Sequence, residues 1–102
     1  NDLEKSRAYS QKAIDFNPKY SRGYNTLGII AVMKEEYKQA EVHFLKAIEL
    51  DKKYIRAMLN LAWIYVLDGR PQDARALYRK VVQIEPANTI AQNFLKENKT
   101  IP

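Results

Sequence analysis

The chain has 102 residues, no cysteine, 46% apolar and 28% charged residues, and a net charge of +5. That is one domain's worth of ordinary globular sequence, without disulfides, thiol nucleophiles or thiolate metal sites. No run approaches the roughly 18 consecutive apolar residues of a membrane span, and the 17 Lys and Arg are interleaved with 12 Asp and Glu rather than gathered on the basic stripe of a nucleic-acid binder.

Residues 2–16 read as a helix with Leu3, Ala13, Ile14 and Phe16 as its apolar positions, stopped by Asn17 and Pro18. A second helix begins at Tyr20 or Ser21 and reaches Met33, with Tyr24, Leu27, Gly28 and Ala31 on one face at i, i+3, i+4 and i+7. The link Lys34, Glu35, Glu36 lacks the glycine that a tight helix-to-helix turn favours and reads as a solvated turn, not an acid pair for hydrolysis. Residues 37–50 form a third helix whose Ala40, Phe44, Ala47 and Ile48 face the second. Gly28 and Ala40 are small where two antiparallel helices approach closest.

Residues 55–67 form a fourth helix, after which Gly69 supplies a left-handed residue and Pro71 opens the fifth, running to Ile84. Glu85 and Pro86 close it. Asn88 or Thr89 caps a last helix, in which Ala91, Phe94, Leu95 and Asn98 share a face against Gln92, Lys96 and Lys99.

The plan repeats. A shift of about 34 positions lays Leu61, Ala62, Tyr65, Ala74, Tyr78 and Val82 onto Leu27, Gly28, Ala31, Ala40, Phe44 and Ile48. Shifting backwards lays Lys12, Ala13 and Ile14 onto Lys46, Ala47 and Ile48, and Tyr20 onto Tyr54.

With helix pairs, this period and these anchors, the sequence resembles the tetratricopeptide repeat family. Residues 21–54 supply the aromatic Tyr24, the Leu27–Gly28 pair, Ala40, Phe44 and Ala47, but carry Ala31 for a tyrosine and Lys52 for a proline. Residues 55–88 supply Leu61, Tyr65, Ala74, Tyr78 and Pro86, with Met58, Ala62 and Val81 as departures. The resemblance implies an all-α fold, a right-handed α-α superhelix of antiparallel helix pairs. On it the chain divides into a half-repeat at 2–20, repeats at 21–54 and 55–88, and a C-terminal capping helix at 89–99. Together these form a single domain over 1–102, a fragment of a longer array.

In this family the first helices of successive repeats line a concave groove for partner peptides, so first-helix residues off the core face are the candidate binding residues. They are Arg22, Asn25, Thr26, Ile29, Val32 and Met33 in one repeat, and Arg56, Leu59, Asn60, Trp63, Val66 and Leu67 in the next. Of these, Arg22, Asn25, Ile29, Met33, Arg56, Leu59, Asn60, Trp63 and Leu67 are the expected contacts. Paired as Arg22 with Arg56, Asn25 with Asn60, Ile29 with Trp63 and Met33 with Leu67, they suit a peptide with an acidic group and a few apolar side chains. One subclass grips C-terminal carboxylates with a Lys/Asn clamp. Asn60 matches its middle asparagine, but Asn25, Ile29, Ile90 and Phe94 do not fit the flanking positions, so that clamp is absent here.

No catalytic constellation stands out. His43, the single histidine, lies between core positions with no base or nucleophile spaced to it. Tyr24, Tyr65 and Tyr78 fall on anchor positions and read as core. No phosphate loop, metal-ligand set or cofactor motif is present. The expectation is a non-catalytic interaction module binding a protein or peptide, with no nucleic acid and no membrane insertion, and with the cytoplasm favoured. The alternative is a scaffold that self-assembles through exposed array ends. There the open face of the first helix is read as Ser6, Ser10 and Ala13, with Leu3 and Tyr9 at its margins, which implies only weak self-association.

Overall fold

The computed structural model describes residues 1–99. They form α1 (Asp2–Phe16), α2 (Ser21–Met33), α3 (Tyr37–Leu50), α4 (Ile55–Leu67), α5 (Pro71–Ile84) and α6 (Thr89–Glu97), with no strand among the described residues. The all-α expectation holds, and so do the helix limits except at the end of α6, which stops at Glu97 rather than 99, with Asn98 as its C-terminal cap. The chain divides within α4 into two compact units, Asn1–Ala57 and the part from Met58 onward.

In the first unit, α1 starts on Asn1, whose side-chain oxygen accepts the Glu4 N–H at 2.9 Å, with Asp2 and Glu4 favourably placed in the positive first turn. Its inner stripe is Leu3, Arg7, Ser10 and Ile14, of which Ile14 is buried. Gly23 lets α2 close onto Ile14: a methyl carbon there would lie 2.9 Å from Ile14 Cγ1. Phe16, expected among the apolar positions, is instead 92% exposed. Two residues on from Ile14 is about 200° around the helix, so both cannot face α2.

The α2–α3 pair is built as the repeat pattern requires. Ala40, Phe44 and Ala47 are fully buried, and Leu27, Ile30 and Ala31 nearly so. A methyl carbon on Gly28 would sit 2.5 Å from Phe44 Cε1, so the missing side chain is what lets the ring in. Tyr24, expected in the core, is only half-buried. Arg7 of α1 reaches the start of α3 through an ion pair to Glu36 at 3.2 Å, and Lys34 pairs with Glu4. These pairs are partly solvated and contribute little.

The glycine-free link after α2 closes without its glycine. Glu35 adopts φ 60, the Glu36 N–H donates to the Ala31 carbonyl at 2.8 Å and the Glu35 N–H to Val32 at 2.9 Å. That pair of bonds is the Schellman closure. The link after α4 makes the same bonds, Arg70 N–H to Tyr65 and Gly69 N–H to Val66, with Gly69 at φ 69. The other recurring loop is also solved twice: the Lys19 N–H donates to the Asn17 side chain and the Lys53 N–H to the Asp51 side chain, each at 3.1 Å. Asp51 thus fixes the turn in the repeat that carries Lys52 where Pro18 stands earlier.

In the second unit, Met58, Leu61, Ala62, Ile64 and Tyr65 of α4 are buried, as are Ala74, Tyr78 and Val81 of α5. The Arg70 guanidinium lies 4.2 Å over the Tyr65 ring. α6 seats on α5 through Tyr78 and Phe94, ring centroids 4.4 Å apart, and burial raises the Tyr78 phenol pKa. Arg75 donates to the Asn98 carbonyl at 2.7 Å, and the Asn88 side chain caps α6 at the Ala91 N–H, 2.9 Å away. The polar face expected of α6, Gln92, Lys96 and Lys99, is exposed.

Candidate functional site

A helix that buries a little over half its circumference leaves one stripe to solvent. In α2 that stripe is Arg22, Thr26, Ile29 and Met33, at i, i+4, i+7 and i+11. Arg22 and Ile29 are exposed, Met33 is 62% exposed and Thr26 is partly so. In α4 the register-equivalent positions are Arg56, Asn60, Trp63 and Leu67; Arg56 is exposed, Trp63 and Leu67 are each 52% exposed, and Asn60 is half-buried. Each stripe therefore opens with an arginine at the second helical residue and ends in bulky apolar side chains. Leu59 is half-buried at the edge of its stripe.

Asn25 is the correction. Expected to be accessible, it is buried, with only 6% of its surface exposed. The 34-residue shift pairs Asn60 with Thr26 and Asn25 with Leu59, so matching the two asparagines was off by one. One residue is about 100° around a helix, enough to carry a side chain from the open stripe to the covered face. Thr26, also expected to face the groove, holds the stripe position that matches Asn60. Its hydroxyl donates back to the Arg22 carbonyl at 3.0 Å.

Where α2 and α4 begin, the first unit carries a concavity of about 460 Å³. Arg22 and Arg56 line it together with Lys53, Asp51 and Tyr54 from the loop before α4. Neither α2 nor α4 has an acidic residue in its first turn, and the Tyr20 cap of α2 makes no side-chain bond. Lys53 was not among the expected site residues; its position in a turn gave no periodic signal.

His43 sits beside a smaller hollow of about 170 Å³ lined also by Arg7, Gln11, Leu27, Ala31 and Gln39. Burial lowers its pKa and the Arg7 charge lowers it further. No carboxylate completes a proton relay there. Among the described residues no cluster of three or more His, Asp or Glu is placed to hold a metal, and no helix is long and apolar enough to cross a membrane.

The open face of α1 also differs from expectation. Ser6 is exposed, but Ser10 is partly covered and belongs to the inner stripe. The outward stripe is Tyr9, 70% exposed, Ala13 and Phe16, continuing to Tyr20, and a hollow of about 510 Å³ lies against Phe16 and Tyr20.

A family model described as Tetratricopeptide repeat matches residues 31–97. The chain belongs to that family. Among solved structures, the tetratricopeptide repeat domain of Arabidopsis OM64 is similar at 26% identity and a TM-score of 0.87, over 98% of this chain and 84% of that one. The first such domain of Spaghetti (RPAP3), solved bound to the HSP90 peptide SRMEEVD, shares the fold at 18% identity and a TM-score of 0.86, over 97% of this chain and 79% of that one. MamA shares it at 23% identity and a TM-score of 0.85, over 96% of this chain and 59% of that one. No curated protein matches the chain. Tetratricopeptide repeat domains are commonly protein–protein interaction modules and generally not catalytic.

Proposed function

We propose that this chain binds a protein partner through a peptide segment, using the open stripes of its first helices and no catalysis. The contact residues are Arg22, Thr26, Ile29 and Met33 on α2, and Arg56, Asn60, Trp63 and Leu67 on α4, with Leu59 at the margin. One observation carries this reading. Ile29, Met33, Trp63 and Leu67 stand outward at register-equivalent positions of two helices whose core faces are buried. A large aromatic with apolar neighbours and a flanking arginine is the composition of a binding hot spot.

The test is the double substitution Arg56→Ala with Trp63→Ala, assayed against the partner that co-purifies with the full-length protein. Truncating a hot-spot tryptophan costs on the order of 2–4 kcal/mol of binding, while helicity should not change because neither side chain is in the core. Undiminished binding would move the site elsewhere.

A second reading, self-assembly, is favoured by the exposure of Tyr9 and Phe16 on α1 and of Tyr20 in the loop that follows it. Sedimentation equilibrium across micromolar concentrations, with Phe16→Ser as the control, decides it. A concentration-dependent dimer that this substitution abolishes supports assembly through α1.

A further inference from the structure

We infer that the concavity at the start of α2 and α4 receives a pair of adjacent carboxylates on the partner peptide, whose apolar side chains then follow the α2 stripe at a fixed spacing. This rests on the interaction reading above and adds the chemistry and register of the ligand.

Charge carries the first half of the argument. Arg22, Lys53 and Arg56 line the concavity against the single carboxylate of Asp51, which already accepts the Lys53 N–H in its turn. Among the described residues none of the three cations has an ion-pair partner. Two of them occupy the second residue of a helix, where a positive charge opposes the macrodipole and an acidic side chain is preferred. α1 and α5 follow that preference with Asp2, Glu4 and Asp73, whereas α2, α3, α4 and α6 carry no acid in the first turn, and of these four the starts of α2 and α4 face a common hollow. What sets this place apart is that three cations converge on one hollow without an ion-pair partner among the described residues, which leaves the hollow electropositive and open to an anionic ligand. Three cations facing one carboxylate leave two positive charges to be matched, and guanidinium forks suit carboxylates. This is not the clamp that the sequence lacks: its residues come from the helix starts and the preceding loop.

Helix geometry supplies the spacing. At about 1.5 Å per residue, Ile29 lies roughly 10 Å and Met33 roughly 16 Å beyond Arg22 along α2. An extended peptide advances about 3.3 Å per residue with alternate side chains on one face. Two apolar residues separated by one spacer match Ile29 and Met33. The acidic pair then falls three and four residues before the first of them, and the more distant acid shares its face. The motif is two acids, two spacers, an apolar residue, a spacer and a second apolar residue.

The test uses a fluorescein-labelled peptide of that pattern, built from glutamate, serine and leucine, and reads fluorescence anisotropy. Saturable binding to the native chain is expected, weakening as salt is raised. Arg22→Glu with Arg56→Glu should weaken it at least tenfold, and both acids suit the helix starts, so the variant folds. Replacing the glutamates by glutamines should cost a similar factor. Lengthening the spacer by three serines, about 10 Å of extended chain, should weaken binding at least fivefold because hollow and stripe can no longer be engaged together. Equal binding by the charge-reversed variant, by the glutamine peptide or by the lengthened peptide overturns the assignment, as does the absence of saturable binding. A phosphoserine in place of the glutamates that binds more than tenfold tighter also overturns it, making the occupant a phosphorylated partner. Met33→Ser separates the two levels. If it weakens binding and charge reversal does not, the stripe is the site and the hollow is not; if neither does, both readings fall.

Discussion

Gly28→Ala is the sharpest test of the packing. The added methyl would lie 2.5, 2.6 and 2.8 Å from three carbons of the Phe44 ring, against an ordinary carbon contact of about 3.5–4.0 Å. The ring is fully buried, so relief requires α2 and α3 to separate or Phe44 to leave its rotamer. Overpacking of a core costs about 1–3 kcal/mol, and an overlap with three ring atoms belongs at the upper end. Alanine returns about 1 kcal/mol over glycine in helix propensity, leaving a net loss of about 2 kcal/mol. Gly23→Ala is the control. Its methyl meets Ile14 Cγ1 at 2.9 Å and Cδ1 at 3.3 Å, and the Tyr20 ring edge at 3.2 Å. The clash is with one aliphatic branch of the buried Ile14 and with the edge of the exposed Tyr20 ring, both of which can rotate away more readily than the fully enclosed Phe44 ring, so the propensity gain offsets most of the strain. Urea unfolding followed by far-UV circular dichroism should lower the midpoint of Gly28→Ala by about 1 M, taking a slope of about 2 kcal/mol per M. It should leave Gly23→Ala near the native value. Phe44→Leu in the Gly28→Ala background should couple favourably in a double-mutant cycle. If Gly28→Ala is as stable as the native chain, or no worse than Gly23→Ala, close approach is not what glycine provides there.

Glu35→Gly should stabilise the chain by about 0.5–1 kcal/mol, because the left-handed conformation costs an L-residue about 1–2 kcal/mol and glycine's extra backbone freedom gives part of that back. Gly69→Ala, with nothing within 4 Å of its new methyl, should lose about 1 kcal/mol on conformation alone; thermal melts compare both. His43 binds its proton less readily in the folded chain than in the unfolded one, because of burial and then Arg7. Stability should therefore be level above the unfolded value of about 6.5 and decline as the pH falls below it, as the unfolded chain takes up the proton first. His43→Gln should flatten that part of the profile, measured by urea midpoints across the range. Ala74→Leu should lose about 1–3 kcal/mol by overpacking a fully buried position.

Periodicity determined the helices and their pairing rules. The spacing of Leu27, Gly28, Ala40, Phe44 and Ala47, and its recurrence at Leu61, Ala62, Ala74 and Tyr78, is enough to place helices, close contacts and core, because burial of one helix face is a local, repeating constraint. Two things escaped it. A loop residue has no period, so Lys53 gained its place beside Arg22 and Arg56 only when the chain folded the start of α4 back to the start of α2. Residues at the edge of a helix face are equally ambiguous: a shift of about 100° hid Asn25, and Phe16, about 200° from Ile14, joined Tyr9 on the open face of α1 while Ser10 was partly covered. Pattern tells which residues are apolar and how often they recur. Which side of a helix finds a neighbour is decided by tertiary packing, because only a neighbour's surface can turn an edge position into core or leave it to bind something else.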